Sequence, residues 1–221
     1  METSGSGMRE PFACPHTIGL AWDEVIKARI EALGKANSTQ GAMMTVHVQA
    51  KSAGNHASGA HGVVFIHSSP RAVSPHLEWA LASVFATPVR IDWADQPIAP
   101  GTVRAEIIWN GPVGTGARLA SALLAFRQVR HEVTEDPSLG RSGERFAATP
   151  ALGLFRADIG PHGDVMVSEE RLRTALAQVS LTGESLAEDI SRLIGTPWDD
   201  ELEAFRCAHE GSTVRVLHEV V

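Results

Sequence analysis

His67, Ser68, Ser69, Arg71, Ser74, His76 and Glu78 fall within a dozen positions of one another in the 221-residue chain. A histidine and a glutamate this close are the residue types of an acid–base pair, so His76 and Glu78 are the candidate catalytic residues. The serines beside His67 and His76, with Asp92 as a third partner, supply the groups of a hydrolase. The nucleophile elbow G-x-S-x-G is absent, however, and serines between a strand and a helix usually turn or cap the backbone. His67, His76, His162 and Glu78 are metal-ligand types. His76 and Glu78 are two apart, hence on different sides of a helix, and no i, i+4 ligand pair accompanies them. The reading is therefore no metal and no cofactor. The loop Gly111–Gly116 is glycine-rich but lacks the P-loop lysine and the dinucleotide spacing.

The elements around these residues are legible from periodicity. Val63–Ile66 predicts a strand, His67–Ser74 a loop, and Pro75 the first turn of a helix capped by Ser74, with Leu77, Ala80, Leu81, Val84 and Phe85 as its buried stripe. Val89–Trp93 and Val103–Asn110 alternate as half-buried strands. Thr115 caps a second helix with the stripe Leu119, Ala122, Leu123 and Phe126, and Val129–Glu135 predicts a fourth strand. Strand, helix, strand, strand, helix, strand is the order of a split βαβ, or ferredoxin-like, sheet over residues 62–137. In a hairpin of the second and third strands, Arg90 opposite Glu106 and Asp92 opposite Arg104 would pair opposite charges.

That topology makes a site prediction. Its first and third strands run parallel, so both helix N-termini open on one edge, each with unpaired N–H groups and partial positive charge. Ser69, Arg71, Ser74 and His76 from one loop would then join Gly114, Thr115 and Arg118 from the other in a notch for a small anionic ligand.

After Gly140 the pattern changes. Leu152–Ile159 and Asp164–Val167 predict a hairpin about Gly160–Gly163. Ser168 caps a helix with the stripe Leu172, Ala175, Leu176 and Val179. A second helix carries Leu186, Ile190, Leu193 and Ile194, a shorter third carries Trp198, Leu202 and Phe205, and Thr213–Val221 closes the chain as a strand. The fold expected is α+β. One domain spans residues 62–221, a βαββαβ half at 62–137 and a ββαααβ half at 138–221, the second covering the bare face of the sheet.

Residues 1–61 read as an N-terminal extension: one helical stripe over Ala21–Leu33, then a Gly- and Ser-rich tether. Met43 and Met44 offer alternative starts for translation. The extension carries five basic and five acidic residues, so the whole net charge of −7 belongs to residues 62–221, where arginine replaces lysine entirely. An acidic chain whose third strand, VRAEIIWN, lacks stacking aromatics is no nucleic-acid reader. No apolar run reaches the roughly eighteen residues of a membrane span, no secretory leader is present, and Cys14 and Cys207 have no metal-ligand spacing, so the cytoplasm is the expected compartment.

The segments HSSPRAVSPHLEWAL, TEDPSLGRSGERFAATPALGLF, GDVMVSEERLR and PWDDELEAFRCAHEGSTVRVLHEVV resemble the actinobacterial family known as domain of unknown function 3145, over about Gly62 to Val221. Members often carry cysteine where this chain has Ser74. The resemblance implies no reaction, and its genomic setting implies a link to fatty-acid metabolism. Two function classes emerge. The first is a non-catalytic binding or regulatory protein with a small anionic ligand or a protein partner. The alternative is a small enzyme using His76 and Glu78.

Overall fold

The computed structural model describes residues 46–49, 59–138, 140–182 and 185–210. The helix expected at 21–33, the alternative starts and the C-terminal strand at 213–221 lie outside them. Among the described residues, eight strands form one open, mostly antiparallel sheet: β1 (Val46–Gln49), β2 (Gly59–Pro70), β3 (Ala94–Asp95), β4 (Thr102–Pro112), β5 (Arg130–Glu135), β6 (Gly143–Thr149), β7 (Gly153–Ile159) and β8 (Val165–Met166). The main path runs β1-β4-β2-β5-β6-β7-β8, with β3 pairing only β4. Five α-helices among the same residues accompany them: α1 (Ser74–Phe85), α2 (Thr115–Leu124), α3 (Glu169–Thr182), α4 (Leu186–Ile194) and α5 (Thr196–Glu210).

One face of the sheet carries α1 and α2. Val64, Ile66, Ala105, Ile107, Trp109 and Val133 meet Leu77, Leu81, Phe85, Leu119 and Leu123 there in the main core. At the centre of this interface Gly62 lets the Trp109 ring cross close to the backbone. A Cβ on Gly62 would lie 1.9 Å from the Thr134 carbonyl oxygen and 2.8 Å from the Trp109 ring. The other face carries α5, whose Leu202 packs with Ala147, Phe155 and Ala157. The second half of the chain thus covers the face that the first half leaves bare.

The sheet departs from the expected split βαβ. β2 and β4 are neighbours but antiparallel, with Gly59 opposite Pro112 and Pro70 opposite Thr102. The only parallel pair among the described residues is β1 with β4, Val46 opposite Ile107. Val46–Gln49 and Gly59–His61, read from sequence as extension, are therefore part of the sheet.

Val89–Trp93 does not enter it. Val89 and Ile91 are buried and Arg90 and Asp92 exposed, so the alternation is real. Its main-chain bond goes to a helix instead: Ile91 N–H donates to the Glu78 carboxylate at 3.2 Å, and the Trp93 indole to the same oxygen at 3.1 Å. A strap laid beside α1 has the same period as a half-buried strand. The expected cross-strand register of Arg90 with Glu106 and Asp92 with Arg104 is consequently not formed, and Arg104 lies opposite Ala94.

Three strands had no clear sequence signal, β1, the two-residue β3 and β6. In β6, Gly143–Thr149, six of seven residues are buried, including Arg145, so no apolar–polar alternation marks it. The hairpin β7–β8 matches the expectation closely. Gly160 N–H donates to the Asp164 carbonyl across the turn, and Gly163 takes φ +79°. Ser168 caps α3, its hydroxyl accepting from Arg171 N–H at 3.4 Å.

Candidate functional site

The antiparallel β2–β4 pair decides the fate of the expected notch. The residues after β2 and those after β4 lie at opposite ends of that pair. Arg118, at the start of α2, donates to the Val84 carbonyl near the end of α1 at 3.1 Å, so the two helices run antiparallel. Ser69, Arg71, Ser74 and His76 are at one end, and Gly114, Thr115 and Arg118 at the other. No single notch includes both groups.

Each group has its own bonds. Arg71 pairs with Asp95 on the surface. The Ser69 hydroxyl donates to the Pro70 carbonyl at 3.3 Å. Ser74 begins α1 after a 3-10 turn at Arg71–Val73, and no side chain caps that end. At α2 the anion is internal: the Glu135 carboxylate accepts from Gly114 N–H at 2.8 Å and Gly116 N–H at 2.8 Å. The Thr115 hydroxyl turns back to the Pro112 carbonyl. His76 is exposed with its ring edge-on to Trp79, centroids 5.2 Å apart, while Glu78 holds the strap. The structure does not bring these two together.

A different constellation occupies the α5 face. Phe65 and His67, two apart on β2 where the strand bulges between Ile66 and Ser69, share a face with their rings nearly parallel. Glu132 is buried and accepts from His67 Nε2 at 2.7 Å, Arg145 Nη2 at 2.8 Å, and Arg206 Nε and Nη2 at 3.1 and 2.7 Å. Asp199 bridges the same two arginines at 2.5 and 2.8 Å. Burial alone would raise the Glu132 carboxyl; Arg206, the His67 hydrogen bond and Arg145 outweigh it and hold the group well below the usual carboxylate range. With four donors on two oxygens the carboxylate is saturated, so it makes a poor base. On the opposite face of β5, His131 packs into the core, where burial lowers its pKa to about 4. The Glu132 cluster holds α5 to the sheet.

A space able to admit a ligand lies elsewhere among the described residues. An open groove of about 390 Å³ runs between β7, α3 and α4. Phe155, Ala175, Leu193 and Trp198 make an apolar floor, and Arg156, Arg171 and Arg192 are also among its lining residues, the Arg156 guanidinium lying over the Phe146 ring of β6. Trp198 is fixed by its indole N–H to the Gly153 carbonyl at 3.0 Å and by the Phe155 ring, centroids 5.1 Å apart. Gly195, at φ +91°, shapes the corner between α4 and α5. A Cβ there would sit 2.7 Å from the Phe155 ring, so glycine alone lets the corner seat. Arg156 pairs with Glu144, and Arg192 reaches Asp189 at 3.4 Å. The other Asp189 oxygen is buried without a hydrogen-bond partner among the described residues. The Arg171 guanidinium has no partner among them either.

The family described as "Protein of unknown function (DUF3145)" matches residues 63–219. The chain belongs to this family. The match takes in the sheet from Val63 of β2 onward and all five helices, including every residue of the groove. No curated protein and no solved structure matches the chain.

Sequence reasoning reached none of the groove residues as a site. Phe155 and Trp198 are readable as core positions, but Arg156, Arg171 and Arg192 stand on three separate elements. Their only sequence signal is the replacement of lysine by arginine after Gly62.

Proposed function

We propose that this chain is a non-catalytic binding protein whose groove between β7, α3 and α4 receives an anionic group attached to an apolar body. The observation that carries the reading is the pairing of an apolar floor with three arginines in a space of about 390 Å³, within the usual range for ligand sites. Guanidinium groups match carboxylate and phosphate oxygens in planar geometry, and the Arg171 guanidinium has no partner among the described residues. Support for the non-catalytic half comes from the buried ionisable groups. Glu132 is saturated, Glu135 caps a helix, and Glu78 is tied to the strap. Fatty acids, a carboxylate on an apolar chain, are natural first probes and fit a role in fatty-acid metabolism.

A thermal-shift screen of fatty acids, organic phosphates, inorganic phosphate and matched alkylamines tests the reading. Stabilisation by acids and phosphates but not amines is expected, and it should fall away in Arg171→Ala. Preference for the amines, or turnover of a bound compound, would overturn it.

A further inference from the structure

The groove follows an unpaired strand edge. β7 pairs with β6 along its whole length, Gly143 opposite Ile159 through Thr149 opposite Gly153. On its other side β8 covers only Asp158 and Ile159. Gly153–Ala157 therefore has no strand partner on that side among the described residues. Consecutive residues of a strand point to opposite faces, yet Leu154, Phe155 and Arg156 all line the groove. A lining drawn from three consecutive residues follows the strand itself, beside the edge that β8 leaves open. Proteins commonly blunt such edges with proline, a bulge or a covering element. Here Gly153–Ala157 contains no proline and Leu154 stands exposed.

We infer that the natural occupant of the groove is an extended, acidic segment of a partner polypeptide, adding to the free edge of β7 as a further strand. This rests on the reading of the groove as an anion site and names what carries the anion. In strand addition the main chain supplies affinity and alternate side chains supply specificity. Side chains of such a segment alternate between the two sides of the sheet. Acidic ones meet Arg171 and Arg192. Charge complementarity selects the partner: an acidic strand is matched and a basic one repelled.

The test uses the full chain, isotope-labelled, with three nine-residue probe peptides. One alternates Glu and Val, the second replaces Glu by Lys, and the third keeps Glu and Val but is N-methylated on alternate amides of its pairing edge. Hexanoate serves as a fourth, small probe. The Glu–Val peptide should bind and slow amide exchange within residues 153–157. The lysine and N-methylated peptides should bind at least about tenfold more weakly, and Arg171→Glu should weaken the first peptide by a similar factor. Equal binding of the N-methylated peptide, or binding without protection of the β7 amides, overturns strand addition. Hexanoate binding through Arg171 with no peptide binding overturns it as well, while leaving the anion site standing. Failure of every probe overturns both.

Discussion

Arg206 on α5 holds Glu132 on β5 through two hydrogen bonds, Nε to one carboxylate oxygen at 3.1 Å and Nη2 to the other at 2.7 Å. The contact spans 74 residues of sequence and lies at the centre of the sheet, with Arg145 and His67 completing the carboxylate's shell. Glu132→Gln should destabilise the protein by about 3–5 kcal/mol in urea titration, because it leaves two buried guanidinium groups short of charge. Replacing Glu132, Arg145 and Arg206 together by apolar residues should cost less than Glu132→Gln alone. A triple variant weaker than the single one would mean the network contributes more than it costs in desolvation.

His131 and Glu132 are neighbours on opposite faces of β5 and set two windows of acid sensitivity. The His131 pKa is lowered by burial from 6.5 to about 4, so the unfolded chain takes up its proton first. The resulting stability is complete above pH 6.5 and is lost as pH falls towards 4, by about 3 kcal/mol in all. Glu132 is also depressed, and its share is lost at lower pH still, below the ordinary carboxylate range. Denaturant titrations of His131→Leu should show a flatter profile between pH 6.5 and 4, with the steeper loss below that retained. An unchanged slope would assign the first window to another group.

Glu78 separates the strap from the acid–base alternative. Glu78→Ala should cost about 1–3 kcal/mol, because the Ile91 amide and the Trp93 indole both lose their acceptor. Exchange of the Ile91 amide should quicken while amides of β4 keep their protection. If that amide is indifferent to the substitution, the strap is held by Val89 and Ile91 packing alone.

Gly195→Ala tests how the groove is shaped. The new Cβ meets the Phe155 ring and the backbone keeps a positive φ, so a loss of about 1–3 kcal/mol is expected, together with weaker ligand binding. Stability lost with binding intact would show that the corner supports the fold but does not form the site.

Much of the fold was legible because its elements are locally periodic. Leu77, Leu81 and Phe85 mark α1, Leu119 and Leu123 mark α2, and Gly160 and Gly163 mark the β7–β8 turn, all where the pattern places them. Pairing was the weaker link. Val89–Trp93 and a true edge strand share a period of two, and nothing local distinguishes a strap bonded to Glu78 from a strand bonded to β4. Once β1 takes the parallel place beside β4, the orientation of β2 against β4 reverses the expected geometry, and the two helix N-termini part. β6 was hidden because a strand buried on both faces shows no alternation, and its Arg145 reads as a surface residue until Glu132 and Asp199 are seen around it. The groove depends on residues drawn from β7, α3, α4 and α5 together, a juxtaposition no single stretch of sequence contains.

The binding claim is tested most directly by mapping backbone amide shifts of the labelled protein during a titration with octanoate. The largest changes should fall at Phe155, Arg156, Arg171, Ala175 and Arg192, saturate together, and disappear in Arg171→Ala. Shifts centred on residues 71–78 or 114–118, or no saturable change at any residue, would contradict the assignment of the groove as the site.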